Sequence, residues 1–475
     1  MAFIEVDGDQ RSGVASHWLT FDRSAGQPTL VAGWSEVEGL LTVQADRLGM
    51  VPLFYALESG RILVSDTLQE VVSRLANRRI DDEAVATFLV LGYLLGNQTL
   101  VEGVKVLMPG ETLVWSHGSL SSDWSGYPDY GTFSGTRDEA KETFCHLFAS
   151  AIAKRSQHGV GNLPLSGGRD SRHICLELAR QGTPPPATLV LQGFKGDESA
   201  EAQQVSAHLG LECRVVAKRG GYASQVFEKN RLNFYSTDEN SWYLNLLPHL
   251  NGPVFDGLAG DVLCNGSYFD SKLACLIRAG DSAGAVQRLL NGGEYLAFLR
   301  SRYRAKWGTG AARQALQSEL GAHTDAADPV KSFIFWNRIR REIALLPLVM
   351  ATQRSEVCLP YEDPELLAFF MSLPWEVYST NHFHDEVIRE SYPEAAHIPY
   401  SGNAKKRSAR KPFRRLFPEA CRMAGALLSP QARPERIAAY MVESLIMGRL
   451  TPLSPSFSKL TPVVQAVREM GLDVD

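Results

Sequence analysis

Cysteine is scarce and unpaired in this sequence. Its seven cysteines, at positions 145, 175, 213, 264, 275, 358 and 421, form no Cys-x-x-Cys and no paired spacing. An odd, scattered set in a long chain argues against a disulfide framework and predicts a reducing compartment. Zinc-type spacing is missing too: no Cys/His grouping has it, and the pairs His382/His384 and His323/Asp325 read as surface residues. Met-Ala-Phe-Ile-Glu-Val-Asp, the N-terminus, has neither the basic start nor the apolar core of a signal peptide. The most apolar run, residues 85–96, is far too short to cross a bilayer. Nor is there an excess of positive charge. Lys and Arg number 48 against 53 Asp and Glu, a net charge of -5, which argues against nucleic acid as the main partner. No internal repeat or low-complexity tract occurs. These absences predict a soluble, cytoplasmic protein without membrane or nucleic-acid partners.

What is present is ordinary globular composition, 44% apolar and 21% charged, over 475 residues. That length exceeds one comfortable core and predicts two domains, placed at 1–120 and 121–475. The first reads as strands and turns: residues 29–33, 40–45, 52–57, 61–65 and 112–115 are short apolar or alternating runs split by Gly, Asp and Ser. Residues 81–91 read as a helix with Asp81 and Asp82 near its start. Residues 118–137, rich in Ser, Gly, Asp, Tyr and Pro, are the linker candidate. A helix is expected over 137–155, apolar at 144, 147, 148, 151 and 152. Strand and helix then alternate: strand 163–165, helix 171–181, strand 187–191, helix 199–209, strand 212–217. That order predicts a parallel sheet with helices on its faces, an α/β class. Beyond about residue 270 the chain reads as mostly helical, interrupted at Pro329 and Pro347.

The chemistry is concentrated in Leu165-Ser166-Gly167-Gly168-Arg169-Asp170-Ser171, between a strand and a helix. Two glycines allow a tight turn and close approach to a ligand. Ser166, Ser171 and the N–H groups of the helix start can donate to anionic oxygens. Asp170 repels phosphate unless Mg²⁺ bridges the two. The Walker pattern is absent, so this is a pyrophosphate-gripping loop of another kind, implying ATP and Mg²⁺. A second segment, Val-Phe-Asp-Gly-Leu-Ala-Gly-Asp at 254–261, is another strand end with a glycine turn and a carboxylate. Asp170 and Asp261, from separate strand-end loops, are expected to share the metal.

These blocks resemble the asparagine synthetase family, which includes the β-lactam and carbapenam synthetases and the lasso-peptide cyclases. Residues 45–56, Ala-Asp-Arg-Leu-Gly-Met-Val-Pro-Leu-Phe-Tyr-Ala, resemble its Asp-x-x-Gly-x-x-Pro-Leu-Tyr-Tyr stretch. Residues 99–104 with 107–110 resemble the segment that ends its N-terminal domain. Residues 197–210 are similar to the helix after the adenine-contacting strand. Residues 356–363 resemble Glu-x-Arg-x-Pro-Phe-Leu-Asp. The resemblance implies an abbreviated Ntn-hydrolase-like, β-rich N-terminal domain. It also implies a PP-loop ATP-pyrophosphatase domain (adenine nucleotide α-hydrolase-like) with a helical C-terminal part. The implied reaction is formation of an acyl-adenylate from a substrate carboxylate and ATP, then capture of the acyl group by an amine or ammonia with release of AMP. Ser166, Gly168, Asp170, Ser171 and Asp261 would hold the leaving pyrophosphate, with Leu165, Gly167 and Gly257 completing the loops. Val190 and Leu191 would lie beside adenine, and Lys405 or Lys406 would stabilise the acyl-transfer charge.

The departures narrow the reading. Glutamine-using members carry a cysteine nucleophile as the second residue. Here that residue is Ala2 and no cysteine precedes Cys145, so no glutamyl thioester can form. The glutamate of Gly-Glu-Gly-Ser-Asp-Glu, credited with handling the nitrogen's proton, is Leu258, which can do no acid–base work. The arginine before Pro360 is Cys358. The expected function is therefore a specialised amide ligase without glutamine hydrolysis. Within that class stands a macrolactam cyclase of the lasso type, with a precursor peptide and a partner protease. From other classes stand a PP-loop tRNA-modifying enzyme and an inactive scaffold.

Overall fold

Period-two patterning folds the first ten strands into two antiparallel sheets. The strands are β1 (Phe3–Asp7), β2 (Gln10–Gly13), β3 (Ser16–Ser24), β4 (Gln27–Val37), β5 (Leu40–Gln44), β6 (Phe54–Glu58), β7 (Arg61–Ser65), β8 (Val104–Val106), β9 (Thr112–Ser116) and β10 (Ser119–Asp123). One sheet has the order β2-β1-β7-β6-β8, the other β10-β9-β5-β4-β3. Ile4, Val6, Phe54, Ile62 and Val64 from the first, and Trp34, Leu41, Val43, Leu113 and Trp115 from the second, are buried in one core. The computed structural model describes residues 1–7, 10–192, 198–218, 221–238, 240–290, 293–379, 382–401, 421–425, 429–435, 437 and 455–474.

The strands expected from sequence at 29–33, 40–45, 52–57, 61–65 and 112–115 coincide with β4, β5, β6, β7 and β9. The expected helix is α1 (Asp82–Leu91), capped by Asp81, whose side chain accepts from Ala84 N–H at 2.9 Å. The linker expectation is corrected at its start, because residues 119–123 form β10 on the hairpin with β9. The rest is pinned down: the Tyr127 hydroxyl donates to Glu319 at 2.6 Å, and its ring stacks on His323 and Trp336. This corrects the surface reading of His323, which is 1% exposed and lies 2.9 Å from the Ser332 hydroxyl.

The Asp46 block has a structural explanation. Asp46 is buried and its carboxylate accepts from Leu48 N–H at 2.9 Å and Val51 N–H at 2.8 Å. Gly49 takes a φ of 57°, and a side chain there would strike the Pro109 backbone. Gly110 N–H closes the turn on Asp46 O.

A capping box between Thr136 and Glu139 starts α2 (Arg137–Ser156). Next come β11 (Leu163–Pro164), α3 (Asp170–Arg180), β12 (Ala187–Leu191), α4 (Ser199–His208) and β13 (Glu212–Val216). The strands β11, β12 and β13 are parallel, as the alternation predicts. A second parallel pair joins β14 (Val254–Phe255) to β15 (Val357–Cys358). Gly161 N–H donates to Pro253 O at 2.6 Å, which lays the segment entering β11 beside the segment entering β14. From this junction the chain adds β12 and β13 beyond β11, and β15 beyond β14, and such a switch point opens a crevice at the carboxyl ends of the strands. The remainder is mostly helical. Pro329 opens a helix behind the Asp328 cap, and Pro347 lies within the long helical run that follows. Among the described residues, no helix is long and apolar enough to cross a membrane.

The sheet-rich N-terminal part is tied to the parallel-sheet part by buried charge. Arg155 is enclosed between Asp22 of β3 and Asp363. Arg340 and Arg341 donate to carbonyls of Gly96, Gln98 and Leu107. Beside Asp363 sits Glu362, fully buried, with neither carboxylate oxygen hydrogen-bonded. Burial pushes its pKa up to about 8, against the partial relief of Arg47. It stands where the resembling motif has leucine. Since the folded state holds this proton more tightly than the unfolded chain does, stability falls as pH rises from about 4.5 towards 8. Glu362→Leu should remove that loss. Its thermal midpoint is expected to match the parent's near pH 5 and exceed it at pH 8, where the stability difference is on the order of a few kcal/mol. Parallel melting curves at all pH values would count against this account.

Candidate active site

The loop after β11 and the loop after β14 meet at the switch point. Leu165 is buried and its N–H donates to Leu189 O at 2.8 Å, which fixes the loop to β12. Ser171 Oγ accepts from Ser166 N–H at 3.0 Å and lies 3.2 Å from Ser166 Oγ. Gly168 N–H donates to Ser166 Oγ at 3.1 Å. The two hydroxyls and the start of α3 thus form one donor cluster, with Asp170 as the first helical residue. Gly167 N–H donates to Glu198 at 3.2 Å, so a carboxylate already sits on a loop amide where an anion is expected. Val190 and Leu191 form the carboxyl end of β12 and are 2% and 7% exposed.

The second loop presses directly on Asp170. A side chain at Gly257 would come 2.9 Å from Asp170 Cβ, and one at Gly260 would come 2.7 Å from its carboxyl carbon. Ala259 holds a left-handed φ of 62°, the strained turn that delivers Gly260 there. Asp170 and Asp261 are thereby brought together. Burial, then the Asp261 charge, holds the Asp170 pKa well above the usual carboxylate range. Asp170 Oδ1 is buried without a hydrogen-bond partner. Two opposed carboxylates and an unsatisfied oxygen beside a donor-lined loop fit a Mg²⁺ site. Leu258 is 2% exposed, an apolar side chain packed into the core.

Sequence reasoning did not single out several residues that the fold brings here. Asp256, at the end of β14, accepts from the Tyr243 hydroxyl at 3.2 Å, and burial pushes its pKa up to about 6. Arg169 forms a forked ion pair with Asp385. Arg172 donates to Ile398 O at 2.9 Å and Pro399 O at 2.7 Å, and both guanidinium groups cover the Tyr400 ring. Ser401 N–H donates to Gly167 O at 2.9 Å. Residues 398–401 are therefore bound to the loop. Lys405 and Lys406 lie outside the described residues.

His384 corrects a surface reading. It is fully buried, on the helix Phe383–Ser391, 3.5 Å from Asp170 and 3.1 Å from His173. Burial, with Arg169 adding to it, pushes its pKa down to about 3, so the ring is neutral. Its neighbour His382 is exposed, as expected. Alternate exposure follows from the helix start, where 383 and 384 turn inward and 382 does not. The signal available in the sequence was the apolar company of His384, between Phe383 and the Val387–Ile388 pair.

A parallel sheet with a glycine-turn phosphate loop and a paired carboxylate at its switch point defines an ATP-using synthetase. Residues 144–426 match the asparagine synthase family and residues 23–125 match the glutamine amidotransferase domain. The first match covers more than half of the chain, which belongs to the asparagine synthase family. It is an ATP-dependent amide-bond ligase of that family. Among curated proteins the chain has no match.

Proposed function

We propose that this ligase adenylates a substrate carboxylate, releases pyrophosphate, and transfers the acyl group to ammonia or an amine with loss of AMP, without hydrolysing glutamine, in specialised metabolism. The observation that carries this reading is the contact of Gly257 and Gly260 with Asp170, which joins the two loops into one site. Ser166, Ser171 and the Gly167 and Gly168 amides bind the pyrophosphate oxygens, with Leu165 fixing the loop to the sheet. Val190 and Leu191 flank the adenine. Asp170 and Asp261 would hold Mg²⁺, which neutralises charge on the departing pyrophosphate when bound. Arg169 and Arg172 hold the loop against residues 398–401, and Lys405 or Lys406 is assigned to the charge of acyl transfer. Residues 1–120 serve as a docked domain without amidotransferase chemistry.

ATP–pyrophosphate exchange over a panel of carboxylates tests the first half. Exchange should depend on one carboxylate class, and AMP, not ADP, should accumulate when ammonia or an amine is added. Glutamine should not replace ammonia, because residues 1–120 contain no cysteine to act as the nucleophile. ADP formation would overturn the adenylation step, and glutamate release from glutamine would overturn the second claim.

A further inference from the structure

Behind the loop, three ligand-type atoms converge from three separate elements. Asp170 Oδ1, Cys264 Sγ and His384 Nδ1 all lie within 4.8 Å of one another. His384 Nδ1 is 3.3 Å from Cys264 Sγ and 3.5 Å from Asp170 Oδ1. A tetrahedral zinc ion, with sulfur at ~2.3 Å and nitrogen or oxygen at ~2.0 Å, sets such neighbours roughly 3.3 to 3.6 Å apart. The two measured edges already have that length.

The surroundings favour an ion over a closed hydrogen-bond network. Asp170 Oδ1 has no hydrogen-bond partner although the atom is buried. Cys264 and His384 are both 0% exposed. His384 Nε2 faces His173 Nδ1 at 3.1 Å. Donation from Nε2–H to His173 leaves the Nδ1 lone pair aimed at the thiol and the carboxylate, the second-sphere support usual for a ligating histidine. A thiol and an imidazole select a soft cation, whereas Mg²⁺ demands oxygen ligands. The position is thus chemically distinct from the magnesium site, yet shares Asp170 with it.

We propose that Asp170, Cys264 and His384 form a binding site for a soft divalent cation of the zinc class, and that filling it withdraws Asp170 from the ATP reaction. On binding, the Cys264 S–H bond breaks, a sulfur–metal bond forms and the proton passes to solvent. The thiol's contact with Gly260 O, at 2.7 Å, is given up. Asp170, a quarter exposed, is the way in. The inhibitory consequence rests on the assignment of Asp170 to magnesium pyrophosphate; the binding itself does not.

Co²⁺ added to the magnesium-free full chain should give a tetrahedral visible spectrum and a thiolate-to-cobalt charge-transfer band, displaced by Zn²⁺. The band should vanish in Cys264→Ser and persist in Cys275→Ser, whose cysteine is exposed elsewhere. X-ray absorption of the zinc-loaded parent needs no variant and should show one sulfur at ~2.3 Å with lighter ligands at ~2.0 Å. Zinc should depress exchange at least tenfold in the parent, and much less in Cys264→Ser, each against its own zinc-free rate. Absence of the sulfur shell, or a band that survives Cys264→Ser, overturns the site. Full spectra with exchange unaffected by zinc overturn the inhibition and count against the role of Asp170.

Discussion

Asp170→Asn is expected to lower ATP–pyrophosphate exchange about a thousandfold while raising the thermal midpoint of the free protein at neutral pH. The two effects have one cause. Asp170 and Asp261 face each other across the meeting of two loops, and burial together with the Asp261 charge resists ionisation of Asp170. An ionised Asp170 is a cost to the folded chain, because its proton is held more tightly there than in the unfolded state. That cost is absent at low pH and grows as pH rises above the ordinary carboxylate range. The amide removes the cost along with the charge that a cation needs. The stabilisation should therefore appear at pH 8 and shrink towards pH 4. Mg-ATP should raise the midpoint of the parent by mass action and leave that of the variant nearly unmoved. Gly260→Ala, which drives a methyl group against the same carboxyl, should also lose exchange but gain no stability. Equal loss of stability in both variants would assign Asp170 to the framework.

What could be read from sequence was contiguous. Ser166 to Ser171 carries its chemistry within six residues, and residues 254–261 repeat the device of strand end, glycine turn and carboxylate. The alternation of strand and helix around the first loop predicts a parallel sheet, and β11 to β13 follow that order. β10 did not show, because Ser-Leu-Ser-Ser-Asp on an exposed sheet edge has the composition of a linker. β3 was hidden for a related reason: most of its residues are exposed or half-buried, so no apolar run announces it.

The parts of the site that stayed illegible are assembled across long sequence separations. Cys264 and His384 meet at 3.3 Å over 120 residues, which no zinc spacing rule describes. Arg169 finds Asp385 over a still longer interval. Glu362 lies within the motif at 356–363, but its isolation from any hydrogen-bond partner exists only in three dimensions. Arg155 did leave a trace. It extends the apolar stripe 144, 148, 151, 152 of its helix by one more inward position, and a charge in such a stripe demands a buried partner.

That partner makes Arg155 the residue whose loss should cost the most stability. Its guanidinium donates to both oxygens of Asp22 at 2.7 Å and to Asp363 at 2.9 Å, with the arginine and Asp22 side chains fully buried and Asp363 nearly so. Asp22 also accepts from Leu359 N–H at 2.8 Å and from the Thr29 hydroxyl at 2.5 Å. It does so from a left-handed backbone, φ 53°, at a place where the β3–β4 register skips a partner. The pairing resumes in the same register beyond it, so the strain is local to Asp22 and is held by what its side chain binds. Arg155→Ala leaves two buried carboxylates facing each other, and should destabilise the chain by about 3–5 kcal/mol. Arg155→Lys should recover only part, since an ammonium cannot fork across both acids. Chemical denaturation gives the energies. Because the triad spans the N-terminal sheets and the synthetase part, Arg155→Ala should also expose residues 124–136 to protease well below the parent's unfolding midpoint. A loss under about 1 kcal/mol, typical of an exposed pair, would mean that the triad contributes little to holding the two parts together.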